Sequence, residues 1–284
     1  MNAVEPFLEA PEATRRLPAS RCTPAGVEED SELVAEEVPV AFSYNGVNHA
    51  VMLASPLDLE DFALGFTLGE RIVRSARDVY DIEVEYTERG IAVELRIASG
   101  AMARLKGTRM ARLGKTGCGL CGVDSLEYFD QDACTPDPCL ARPSQLPFEA
   151  AALHRAMGEL AARQTLHQAT GAVHAAGWAG RDGSLACVRE DVGRHNALDK
   201  LVGALARSGT DVNAGFAVVT SRASFEMVQK AARAGIGLLA AISAPTALAV
   251  EMAEGAGLTL AGFVRGGRHV VYSHPERLRS LAAA

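Results

Sequence analysis

The strongest constraint on the fold comes after residue 148, where short, continuously apolar runs such as Gly215-Phe-Ala-Val-Val-Thr220 alternate with longer amphipathic ones. A strand that is apolar at every position needs cover on both faces, whereas a half-exposed strand alternates. Strand-like segments at 185–188, 215–220 and 236–243 interleave with helical ones at 194–207, 223–234 and 246–254. An amphipathic helix marked by Phe148, Leu153, Met157 and Leu160 precedes them. Together they predict an α/β domain over residues 146–284. The domain closes with Leu258-Thr-Leu-Ala-Gly-Phe263 and His269-Val-Val-Tyr272, joined by Val264-Arg265-Gly266-Gly267-Arg268, a hairpin whose turn sets two arginines beside two glycines.

The first half is patterned differently. Val38–Tyr44 and Val47–Leu53 are strand-like runs on either side of Asn45-Gly46, the dipeptide of a tight hairpin turn. Ser55-Pro56-Leu57-Asp58 offers a cap, a proline for the first turn and an acid, and the apolar spacing through Leu59, Phe62, Phe66 and Ile72 or Val73 predicts a helix over 56–74. Ile82, Val84 and Tyr86 alternate, as do Ile91, Val93, Leu95 and Ile97, which predicts a second hairpin. Residues 31–145 thus read as a small α+β domain, ending in a linker with four prolines between Pro136 and Pro147. Residues 1–30, with Pro6, Pro11, Pro18 and Pro24 and little periodicity, are expected to be a poorly ordered extension. The expected class is therefore α/β, with an α+β unit first.

The chain has 284 residues, 48% of them hydrophobic, enough to bury a sizeable core. A formal net charge of −7 argues against nucleic acid as the main partner but leaves room for a local basic patch that holds a phosphate. No basic segment followed by an apolar one opens the chain, and no apolar run has the about 18 residues a spanning helix needs, so a cytoplasmic protein without membrane attachment is expected. In that compartment the six cysteines are expected as thiols.

Two of them form the motif Lys115-Thr-Gly-Cys118-Gly-Leu-Cys121-Gly122. Glycines around both thiols disfavour helix and strand, and the positive charges of Arg112 and Lys115 favour thiolate, the nucleophilic form. Three chemistries fit the spacing. A structural zinc site would draw on Cys134 and Cys139 as the second pair, although Cys134-Thr-Pro-Asp-Pro-Cys139 has four intervening residues, two of them prolines. A redox or persulfide role would use the thiols directly, and a simple disulfide is the third.

Other polar clusters mark the second domain. Arg189-Glu-Asp-Val-Gly-Arg-His195-Asn-Ala-Leu-Asp-Lys200 packs charges into a strand-to-helix junction, where α/β proteins place ligand sites, and helix capping is the simpler alternative. Thr220-Ser-Arg222-Ala-Ser224 follows the next strand and has hydroxyls, an arginine and helix-start amides suited either to an anion or to capping. His174 stands alone in a small-residue run, and no task follows from its position.

Six segments in consistent order resemble one family: Thr116–Gly122, Gly171–Ala176, Arg189–Lys200, Ser221–Lys230, Ser243–Ala249 and Gly262–Arg268. The family is that of the formate dehydrogenase accessory sulfurtransferases, FdhD, and the resemblance spans residues 30–275. It implies a cytidine-deaminase-like fold for the second domain and a homodimer. It further implies a carrier that takes persulfide sulfur from a cysteine desulfurase and delivers it to the bis-molybdopterin guanine dinucleotide cofactor of formate dehydrogenase. Matched residue by residue, the persulfide carrier falls on Cys118, with Cys121 as a less certain partner. The cofactor-contacting hairpin falls on Phe263, Val264, Arg265, Gly266, Gly267 and Arg268, for which GDP is a natural mimic. No metal site is implied. His174 is followed by Ala175 and Ala176 rather than by the glutamate of a working zinc deaminase, which speaks against deamination. A structural zinc module and a non-catalytic cofactor escort are the alternatives to a sulfurtransferase.

Overall fold

The structure, a computed structural model, describes residues 10–110 and 147–279. Cys118, Cys121, Cys134 and Cys139 lie outside the described residues, as does the proline-rich linker before Pro147.

Two strands, β1 (Thr14–Thr23) and β2 (Gly26–Ala35), form an antiparallel ribbon where residues 1–30 were expected to be poorly ordered. The expectation fails for residues 14–30 because the ribbon has no buried face to leave a periodic signature. It is held by its ladder and by cross-strand charges, Arg21 with Asp30 and Glu32 and Arg15 with Glu36. Cys22 is exposed on it.

β3 (Val38–Tyr44) and β4 (Val47–Ala54) form the hairpin predicted from Asn45-Gly46, whose φ values of 48° and 75° suit a turn that needs two left-handed residues. β5 (Val79–Thr87) and β6 (Gly90–Ile97) form the second hairpin, and a parallel β3–β6 pairing joins the two into a sheet of order β4-β3-β6-β5. α1 (Leu59–Gly69) covers it, with Phe42 stacked on Phe66 at 5.0 Å and edge-on to Phe62 at 5.1 Å. α1 starts later than residue 56. Ser55 does not cap it, because the Ser55 N–H donates to Asp191 Oδ2 at 3.0 Å and its hydroxyl accepts from Val192 N at 3.2 Å, both in the second half of the chain. Asp58, at φ 52°, opens the helix instead. α2 (Ser99–Met110) follows.

The second sheet has the order β13-β12-β11-β10-β8-β9. Its strands are β8 (His174–Gly180), β9 (Leu185–Asp191), β10 (Gly215–Val219), β11 (Leu238–Ala241), β12 (Thr259–Arg265) and β13 (Arg268–Ser273). A short pairing of β7 (Phe148–Glu149) with β14 (Leu278–Arg279) lies beside it. β10, β11 and β12 are parallel; β8 runs against β10 and β13 against β12. Helices lie on both faces, as the apolar strands require. Ala217 and Val219 share a core with α5 (Arg194–Ser208), α6 (Phe225–Arg233) and α7 (Ala247–Ala256). Phe216 and Val218 pack on the other side against α3 (Ala150–Arg163), which α4 (Thr165–Thr170) follows. The class is α/β.

The two halves meet where α1 crosses α5, and the crossing is close because it runs through glycines. A Cβ on Gly65 would stand 1.7 Å from Asp199 O, and one on Gly203 would stand 1.9 Å from Asp61 O. Around this contact Asp61 accepts from Arg189 at 2.7 and 2.9 Å and from Arg207 at 2.9 Å. Lys200, fully buried, pairs with Asp191 at 2.7 Å and donates to Ser55 O at 3.0 Å. Lys230 reaches Asp199 at 2.9 Å and Glu70 at 3.2 Å.

Candidate functional site

The contacts across the α1–α5 crossing reassign much of the charged run at 189–200. Arg189, Asp191, Asn196, Asp199 and Lys200 are consumed at the junction: Asn196 Nδ2 donates to Leu53 O at 2.8 Å and to Asp191 Oδ1 at 2.9 Å, beside the ion pairs already described. Asp191 Oδ1 also accepts from Gly193 N at 2.8 Å at the entry to α5, which leaves it a part of the capping role, while the other side chains are spent on the junction. The run is a lock between the halves. Three of its members stand apart: Glu190, whose carboxylate accepts from Leu166 N and His167 N at 2.9 Å at the start of α4, and Arg194 and His195 at the start of α5.

Arg194 and His195 belong to the edge of the second sheet where β10, β11 and β12 end. In an open parallel sheet, loops that leave the carboxyl ends of strands diverge and expose a crevice with helix amides along it. Here those loops are tied sideways. Thr220 Oγ1 accepts from Ala175 N at 2.8 Å, which fixes the loop after β10 beside the start of β8 and His174. Ala223 N donates to Ala244 O at 3.3 Å and Thr246 N to Ala223 O at 3.2 Å, joining that loop to the one after β11. Phe263 N then donates to Ser243 O at 3.2 Å, which brings in the hairpin. His195 Nε2 lies 2.8 Å from Glu226 Oε2, so the starts of α5 and α6 touch. The separate motifs thereby share one edge.

The hairpin between β12 and β13 carries the strain expected of a working loop. Gly266 and Gly267 hold φ values of 56° and 72° in the two-residue turn between the paired Arg265 and Arg268, a conformation that side chains disfavour. Phe263 is held at φ 53°, rare for a bulky residue and worth about 1–3 kcal/mol of strain, and the ladder is irregular between Gly262 and Arg265. Gly262 allows the close approach, since a Cβ there would meet Ser243 O and Tyr272 Cε2 at 3.0 Å. The Phe263 ring is half-buried and the Arg265 guanidinium carbon lies 5.8 Å from its centre. Arg265, Gly266, Gly267 and Arg268 are exposed. Val264 departs from expectation: it is fully buried in the core over α3, so its side chain anchors the hairpin and does not face a ligand.

Charge is the feature of this edge that periodicity could not reveal. The chain is acidic, and many of its arginines elsewhere, such as Arg15, Arg21, Arg189 and Arg207, sit in ion pairs, while others, such as Arg16 and Arg163, make hydrogen bonds instead. Arg194, Arg222, Arg265 and Arg268 have no carboxylate at ion-pair distance among the described residues. His174 is held below the ordinary imidazole value by burial and by the charges of Arg194, His167 and His195, against Asp191. The edge is thus suited to an anion. Cys187, half-buried on β9, has its thiol pushed up by burial and is a poor nucleophile. Among the described residues no group of three or more His, Cys, Asp or Glu is placed to hold a metal, and no helix is long and apolar enough to cross a membrane.

Comparison with known proteins agrees with this architecture. The model of the FdhD/NarQ family matches residues 35–279. The chain is 60% identical over 250 residues to a sulfur carrier protein FdhD of Cupriavidus necator, covering 88% of this chain and 85% of that one. It is 54% identical to a protein of the same description from Variovorax paradoxus, covering 90% of each. The crystal structure of a protein described as a formate dehydrogenase accessory protein, from Desulfotalea psychrophila, superposes with a TM-score of 0.74 at 25% identity, covering 94% of this chain and all of that one. The chain belongs to the FdhD/NarQ family.

Proposed function

We propose that this chain is a sulfur carrier that serves formate dehydrogenase. In this reading it receives persulfide sulfur on Cys118 from a cysteine desulfurase and passes it to the bis-molybdopterin guanine dinucleotide cofactor. The relatives' description as sulfur carriers supports the first part. The observation that carries the second is the arginine-lined edge, with Phe263 at positive φ and Arg265 and Arg268 exposed and without a carboxylate at ion-pair distance among the described residues. A nucleotide-bearing molybdenum cofactor is a polyanion with planar bases. Arginine forks pair with its diphosphates, the Phe263 ring offers a stacking face, and Gly266 and Gly267 leave backbone amides accessible.

The sulfur step needs only thiol exchange. The Cys118 thiolate attacks the outer sulfur of the donor's persulfide, and the donor cysteine leaves as thiolate. A Cys121 thiolate attacking the Cys118 sulfur of the persulfide would expel hydrosulfide and form a disulfide, so it can release the cargo. Chemistry and binding are then divided between the cysteine segment and the sheet edge. The chain would work as a homodimer in the cytoplasm.

Calorimetry with GDP tests the binding half. The Arg265→Ala/Arg268→Ala variant should lose about 2–4 kcal/mol of affinity if each charged contact contributes roughly 1.5–3 and the two overlap. Unchanged affinity would remove the hairpin from the site.

A further inference from the structure

We infer a binding site for a small monocarboxylate with a compact aliphatic body, in the cleft where the C-terminal ends of α1, α5 and α6 converge. The cleft is separate from the sheet edge and shares no residue with the hairpin or the cysteine motif. A broken local rule singles it out. α1, α5, α6 and α7 all end in the same turn, in which the N–H of a left-handed residue bonds back three positions and the next N–H bonds back five. In α5, α6 and α7 that residue is Gly209, Gly235 and Gly257, at φ values of 65°, 77° and 67°. In α1 it is Arg71, at φ 55°, a conformation that glycine reaches freely and a side chain does not. The bonds of the turn, Arg71 N to Leu68 O and Ile72 N to Thr67 O, both 3.0 Å, are main-chain and need no side chain. An arginine placed where glycine folds more easily points to a task for the guanidinium.

Arg71 lines a cleft of about 180 Å³ between the two halves of the molecule, together with Arg74 and Arg233. Its apolar wall comes from Leu68 on α1 and from Val202 and Leu205 on α5. An apolar cavity of about 150 Å³ holds a benzene ring, so the space suits a branched aliphatic chain of similar bulk. Three guanidinium groups on one small cleft call for a negative charge. Arg74 is exposed and has no carboxylate at ion-pair distance among the described residues. Arg233 is fixed beside it by donating from Nη1 to Gly69 O at 2.8 Å. Glu70, the acid next to Arg71 in the chain, is taken up by Lys230 at 3.2 Å. A carboxylate meets a guanidinium fork through two parallel hydrogen bonds, and the aliphatic body covers the apolar wall. Both halves contribute, so a bound acid staples α1 to α5 and α6.

The test is calorimetry on the full-length protein with isocaproate, isocaproamide and acetate. Isocaproate should bind wild type. Isocaproamide, which has the body without the charge, and acetate, which has the charge without the body, should each bind at least about tenfold more weakly. Arg71→Gly should lower isocaproate affinity about tenfold, while the melting temperature of the ligand-free variant stays level or rises because glycine suits the left-handed turn. Ala206→Leu fills the cleft from α5 without changing a charge and should also weaken binding. The ligand series on wild type decides the matter even if a variant fails to fold. No binding of isocaproate to wild type, equal affinity for the amide, or unchanged isocaproate affinity in either folded variant overturns the site.

Discussion

Gly65 on α1 lies against the main chain of Asp199 on α5 so closely that a methyl group there would stand 1.7 Å from the Asp199 carbonyl oxygen. Gly203 repeats the relationship in reverse with Asp61. The obstructing atoms are backbone, so no rotamer change relieves the contact. The two halves of the molecule are therefore joined by a helix pair that only glycine permits, with Asp61, Asp191, Asp199, Lys200 and Lys230 as charged flanks.

Gly65→Ala and Gly203→Ala should each destabilise the protein by about 3 kcal/mol or more, at the upper end of overpacking costs, despite alanine's better helix propensity. Gly158→Ala on α3 and Gly255→Ala on α7 should have the opposite effect, gaining about 0.5–1 kcal/mol, because nothing lies within 4 Å of the added carbon. Urea titrations of the four variants check this, and a neutral Gly65→Ala would mean that the crossing is looser than described.

Asp199 gives the junction a pH dependence. Burial pushes its carboxyl up to about 6, against the pull of Lys230. A carboxyl raised above its unfolded value stabilises the fold below about pH 4, and that contribution is lost as pH rises through 6. The stability of wild type relative to Asp199→Asn should therefore fall by about 3 kcal/mol between pH 4 and pH 7. Denaturant midpoints at the two pH values measure the difference, and a constant gap would show that Lys230 fully offsets burial.

His154 on α3 and His269 on β13 meet at 3.1 Å between ring nitrogens, next to the arginine hairpin. Burial and then the neighbouring His269 hold His154 below the ordinary imidazole value. The contact needs at least one neutral ring, so its contribution is present above about pH 6.5 and is lost on acidification. Wild type should lose more thermal stability between pH 7.5 and pH 5.5 than His154→Gln, in which one partner no longer titrates. Parallel pH profiles would contradict this.

Legibility in the sequence followed the presence of a buried face. Asn45-Gly46 and the alternation around Val93 disclosed the first sheet, and the apolar run at 215–219 disclosed the second. β8 was missed because His174–Gly180 is mostly alanine and glycine around Trp178, residues small enough to fit under helices but with no strand signature. The ribbon at 14–35 leaves no periodic signal because none of its residues is fully buried and only the end of β2, near α4, is half-buried. In the site, the glycine–arginine turn was visible as a motif. The tasks of Arg189, Asp191 and Lys200 were not, since their partners Asp61 and Ser55 lie more than a hundred residues away in the chain.

The central claim is that one thiol carries the sulfur. Intact-mass and peptide mapping of the protein after incubation with a cysteine desulfurase and free cysteine tests it most directly. Wild type should gain the mass of one sulfur atom on the peptide containing Cys118, Cys118→Ala should gain none while keeping its fold, and Cys121→Ala should still load. Undiminished loading of Cys118→Ala, or full activation of formate dehydrogenase by it, would contradict the account.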